Sequence, residues 1–129
     1  MQTFADLVES RKTWIDEVLR PWCQRAPRMQ LRLAELEWQD VAGRVEPEKT
    51  LWMWAWSRFP DLVHAELSGI DETRPVTVQL HDGTLRMGYP DARQSQQGQL
   101  VLLCRADNGP GFQECGPFSL DDIAAVTRA

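Results

Sequence analysis

The hexapeptide Leu51-Trp52-Met53-Trp54-Ala55-Trp56 constrains this chain more than any other run, because three indoles alternate with three smaller apolar side chains. In a strand, that alternation sends the indoles to one face and Leu51, Met53 and Ala55 to the other. In a helix the three indoles would spread around the cylinder. The strand preference of tryptophan, with Gly43 and Pro47 ahead of the run, predicts a strand that forms a hairpin with the segment before it. Such a row carries on the order of several hundred Å² of apolar surface. It either forms core against Phe4, Trp14 and Ile15 of a preceding helix, or leaves part of the row exposed as a binding anchor.

The remaining pattern is mixed. Phe4, Leu7, Val8, Trp14, Ile15, Val18, Leu19 and Trp22 recur mostly at three- and four-residue intervals, with Thr3 as cap and Asp6 in the first turn. They predict an amphipathic helix that Pro21 and Pro27 stop near Leu19 or Arg20. From Arg28, Met29, Leu31 and Leu33 alternate with polar neighbours, then Leu36 and Trp38 follow. A strand is favoured here, although Leu-Ala-Glu-Leu-Glu also has high helix propensity. Phe59-Pro60-Asp61 restarts the chain as a short middle helix closed by Ser68-Gly69.

The second half is β-rich. Val76, Val78 and Leu80 alternate up to Asp82-Gly83, a strong hairpin signal, and Leu85, Met87 and Tyr89 return. Leu100 to Cys104 reads as a buried strand, Phe112 to Cys115 as a short one, and Ser119 caps a last helical turn over Leu120 to Ile123. The expected fold is a single α+β domain over residues 1–129, with helices packed on a mainly antiparallel sheet.

Composition narrows the function. With 129 residues, 26% charged and 43% hydrophobic, the chain can fold without disulfide or metal. No apolar run reaches the ~20 residues of a membrane helix. No signal peptide is evident at the start, and three scattered cysteines form no secretory framework, so a cytoplasmic setting is expected. The net charge of −5 lies wholly after residue 60, where ten acids outnumber five bases. That balance disfavours nucleic acid and suits a basic protein partner.

Catalytic and ligand motifs are lacking. There is no phosphate loop, no Gly-x-Gly-x-x-Gly, no Cys-x-x-Cys and no histidine pair at metal-ligand spacing. Neither cofactor nor metal is expected, and no catalytic residue is assigned. A motif-free active site would have to use His64 or His81. Cys104 and Cys115 could face each other across strands, and packing is the simpler role for both.

Two resemblances follow. From Pro75 to Ala124 the layout resembles small SH3-like and Sm-like barrels: Val76-Thr77-Val78-Gln79-Leu80-His81-Asp82-Gly83, a second strand through Gly88, Gly98-Gln99-Leu100-Val101-Leu102-Leu103, then Phe118-Ser119-Leu120-Asp121-Asp122-Ile123. In length, acidity and mixed pattern the whole chain is similar to small cytoplasmic immunity proteins that neutralise bacterial toxins. That likeness implies a non-enzymatic protein-binding module that occludes a basic cleft with an acidic surface. The expected contact residues are Asp61, Glu66, Asp71, Glu72, Tyr89 and Asp91, at turns and element ends where side chains project. An Sm-like regulatory or nucleic-acid adaptor and an enzyme with a motif-free site are the alternatives.

Overall fold

The computed structural model describes residues 3–42, 46–64, 69–106 and 109–129. Its helices occupy the first half of the chain and a five-stranded antiparallel sheet the second, an α+β arrangement.

Helix α1 (Phe4–Trp14) begins with the expected capping box: Asp6 N–H donates to Thr3 Oγ1, and Thr3 N–H donates to Asp6 Oδ2. The helix does not end near Leu19. It widens into a π turn over Ile15–Leu19, where Arg20 N–H donates to Ile15 O, and continues as α2 (Arg20–Arg25) straight through Pro21. Pro21 has no N–H to give to the ladder and its ring crowds the preceding turn; the wider turn accommodates both defects. Ala26 then turns extended ahead of Pro27, where the helix stops.

The expected strand from Arg28 is helix α3 (Arg28–Leu36), followed by α4 (Trp38–Ala42). Met29 and Leu33 are exposed whereas Leu31 and Trp38 are buried, with Ala34 half-buried between them. The productive spacing is therefore 31, 34, 38, and the alternation of 29, 31 and 33 is incidental. Gly43 of the proposed hairpin lies outside the described residues, and Pro47–Lys49 forms a 3₁₀ turn.

The tryptophan run is also a helix, α5 (Leu51–Trp56). Leu51 and Ala55, and Trp52 and Trp56, are i, i+4 pairs, and all four are buried. Trp54 leaves that face and packs edge-on against Trp38 at 5.9 Å, with the Arg20 guanidinium 5.0 Å from its ring. Trp52 and Trp56 are thus core rather than anchor. Trp38 Nε1–H donates to Thr50 Oγ1, and Trp52 Nε1–H to the Glu35 carboxylate, so these buried indoles keep hydrogen-bond partners. The middle helix reduces to a 3₁₀ turn at Pro60–Leu62: Val63 is already extended and bridges Ile70, so the expected helix does not continue, and residues 65–68 of that expectation lie outside the described set.

The strands are β1 (Val76–Leu80), β2 (Leu85–Pro90), β3 (Gln99–Arg105), β4 (Phe112–Ser119) and β5 (Ile123–Arg128), in the order β4-β3-β2-β1-β5. The Asp82-Gly83 turn forms as expected, with Gly83 at φ +90° and Thr84 N–H donating to Asp82 Oδ1. Strand β4 extends beyond Cys115, and Leu120–Asp122 is a 3₁₀ turn capped by Ser119. Strand β5, absent from the sequence-based expectation, then pairs with the free side of β1. Val76, Val78, Leu100 and Leu102 point into the core shared with Leu31, Trp52 and Trp56.

Candidate binding surface

The register places most of the expected contact residues at one end of the sheet. Val76 opens β1 opposite both Gly88 and Arg128, so the chain leading into β1, the end of β2 and the end of β5 lie together there. Asp61 belongs to this end, accepting from Arg128 N–H at 3.3 Å with the Arg128 guanidinium 3.9 Å away. Glu72 is exposed. Asp91 is half-buried and starts the next loop, accepting from Gln94 N–H. Glu66 lies outside the described residues.

Asp71 does not project. It is 8% exposed, and its Oδ1 accepts from both the hydroxyl and the N–H of Thr73. Those two hydrogen bonds hold its carboxyl below the usual aspartate range against the opposing effect of burial; His64 and Arg74 add smaller pulls in the same direction. Its second oxygen stands 3.8 Å from His64 Nδ1, a pairing that the sequence did not reveal. His81 is remote from it, past the far end of β1, where its N–H donates to Asp122 O. Arg74, Arg93 and Arg128 are exposed in the same segments as the acids, so this rim is less acidic than the local sequence implies.

A second surface adjoins it. Leu85 (58% exposed), Met87 (63%), Tyr89 (39%) and Phe112 (64%) are large apolar residues left in solvent. Register explains them. Gln79 pairs with Leu85 and Thr77 with Met87, so the apolar positions of β2 share a face with the polar positions of β1. Tyr89 pairs with Leu103 on that face and meets Phe112 edge-on at 6.4 Å. Strand β2 pairs with β3 only at Tyr89 and Pro90, where Gly88 lets the backbones approach. Beyond, a groove of about 520 Å³ opens, walled by Leu85, Met87 and the arginines Arg86 and Arg105.

The alternation of Leu85, Met87 and Tyr89 matches that of β1 but does not by itself say which side of the sheet they take. A one-residue difference in register would reverse the side, and two short strands carry no local signal of it.

The chemistry elsewhere is sparse. Cys23 is fully buried and its thiol is pushed up to about 11 by burial, with Arg58 opposing. Cys104 sits opposite Gln113 and Cys115 opposite Leu102, so the two are diagonal rather than facing, and no disulfide joins them. Among the described residues, no group of three or more His, Cys, Asp or Glu side chains could hold a metal ion, and no helix is long and apolar enough to cross a membrane. No family model, curated protein or solved structure matches the chain.

Proposed function

We propose that the chain is a non-enzymatic protein-binding module that occludes the working surface of its partner, in the manner of a toxin-neutralising immunity protein of the bacterial cytoplasm. The supporting observation is the cluster of Leu85, Met87, Tyr89 and Phe112 on one sheet face, since single exposed apolar residues are ordinary but a contiguous group of this size marks an interaction surface. Tyr89 and Phe112 are its anchors, as aromatic side chains lose little conformational entropy on contact. Glu72, Asp91 and Asp61 lie at the adjoining sheet end and favour a basic partner, chiefly through the rate of association. The strand order, with a 3₁₀ turn before the last strand, supports an SH3-like reading of the C-terminal part. The acidic balance speaks against an RNA-binding use of it.

The test uses the protein encoded by the adjacent reading frame, purified and titrated with the chain by calorimetry. Binding is expected, and the Tyr89→Ala/Phe112→Ala variant should weaken it by about tenfold or more. Failure of that protein to bind, or binding that the double variant leaves unchanged, overturns the reading. A His64→Ala variant should inhibit the partner as the wild type does; loss of function there would favour an enzyme built on the His64–Asp71 pair.

A further inference from the structure

The sheet has two edges, β4 and β5, and the fold treats them differently. Beside β5 packs the 3₁₀ turn Pro60–Leu62, from which Asp61 accepts the outward N–H of Arg128. Among the described residues β4 packs extensively on β3 alone. Register tells which of its backbone groups are left over. Ala106 N–H donates to Gly111 O, which makes Cys104 and Gln113 the next hydrogen-bonded pair of the ladder. Phe112 and Glu114, opposite Arg105 and Leu103, therefore turn their N–H and C=O groups away from β3. Both residues are exposed, and among the described residues nothing bonds those outward groups. Proline and lysine, which blunt many sheet edges, are missing from residues 112–115, and Pro117 comes only later in the strand. Tyr89, Leu103 and Glu114 are cross-strand neighbours on one side of the sheet, and Phe112 shares that side. The open edge thus borders the two aromatic anchors.

We propose that an extended segment of the partner protein adds to the sheet along residues 112–115, hydrogen-bonding to the outward groups of Phe112 and Glu114. This inference rests on the reading of the Tyr89–Phe112 face as the partner's contact surface and states how the partner's backbone meets it. An alternating row of main-chain donors and acceptors is matched in full by another extended backbone. In an antiparallel addition the partner residues opposite Glu114 and Phe112 lie two apart and point to the side of Tyr89. A basic side chain against Glu114, followed two residues later by an apolar one against Phe112, completes both contacts. A second copy fits less well. Pairing β4 with β4 about Gln113 sets Glu114 against Phe112 at both ends, with no cation directly opposite either carboxylate.

The calorimetric titration with the protein of the adjacent reading frame is extended to Glu114→Ala and Glu114→Pro. The alanine removes an exposed charge and should weaken binding about two- to threefold. The proline also deletes the outward N–H while sparing the β3–β4 ladder, and should weaken binding about tenfold further. Amide exchange of the wild-type chain needs no variant: the Phe112 and Glu114 amides should slow about tenfold or more in the complex.

Equal exchange of these two amides in the free and bound chain overturns strand addition, as does a folded Glu114→Pro that binds like Glu114→Ala. Protection of the same amides in the free chain at about 1 mM, where weak self-association is populated, also overturns it, since a second copy then occupies the edge. In each case a Tyr89→Ala/Phe112→Ala variant that still weakens the titration leaves the partner-binding reading standing. If the adjacent frame's protein does not bind at all, both readings fall.

Discussion

Asp121 Oδ1 accepts a hydrogen bond at 2.8 Å from the backbone N–H of Arg28, 93 residues away in the chain. The residue before Arg28 is Pro27, which has no side-chain acceptor for the first turn of α3. A carboxylate from the turn between β4 and β5 supplies it, and its charge suits the positive end of the helix. The contact ties the helical half to the sheet at the point where the chain reverses into β5. Asp121→Ala should lower unfolding free energy by roughly 1 kcal/mol, and Asp121→Asn by less because an acceptor remains. Chemical denaturation of the three proteins side by side checks the order.

Arg58 closes two helices at once. Its Nη2 donates to Cys23 O and Ala26 O at the end of α2, both at 2.8 Å, and its Nε donates to Ala55 O at the end of α5. Burial lowers its pKa from the usual arginine value, with Asp121 and Cys23 opposing, and the guanidinium stays charged at neutral pH. Arg58→Met leaves these carbonyls without that donor and should cost about 3 kcal/mol or more. Arg58→Lys should recover little, because an ammonium cannot reproduce the planar fork that spans both helix ends. Melting curves for both variants decide this.

Gly88 and Gly83 should fail differently as alanines. At Gly88 a Cβ would stand 2.6 Å from Leu103 O, so β2 and β3 would have to part, at a cost of about 2 kcal/mol or more. At Gly83 nothing lies within 4 Å, and the cost arises only from φ +90°, about 1 kcal/mol. Proton exchange at the β2–β3 amides should quicken in Gly88→Ala beyond what its global stability accounts for, and in Gly83→Ala it should not.

The buried Asp71 makes stability sensitive to acid. Its folded pKa is depressed, so between that value and about 3.9 the native state binds fewer protons than the unfolded chain. The stabilisation is complete above that window and is lost as pH falls through the folded value. Thr73→Val removes the hydroxyl donor, should cost roughly 1 kcal/mol at neutral pH, and should flatten the acid limb of the stability profile. Equal acid slopes for the two proteins would remove Asp71 as their cause.

Local signals determined what depends on neighbours in the chain. The Thr3–Asp6 capping box, the Asp82-Gly83 hairpin, the alternating β1, the buried β3 and the Ser119 cap were all legible, because each rests on contacts within a few residues. The α+β class followed from them. Partners distant in sequence decided the rest. Alternation at 29, 31 and 33 and at 52, 54 and 56 mimicked strands; Asp121 capping Arg28 and burial of Leu51, Trp52, Ala55 and Trp56 on one side made both helices. The same holds for the contact residues: Asp71 faced inward once Thr73 and His64 were placed around it. Leu85, Met87 and Phe112 emerged as surface only when the pairing of β2 with β1 and of β4 with β3 set which side of the sheet each strand presents. Register and long-range caps are properties of two segments together, and neither segment alone encodes them.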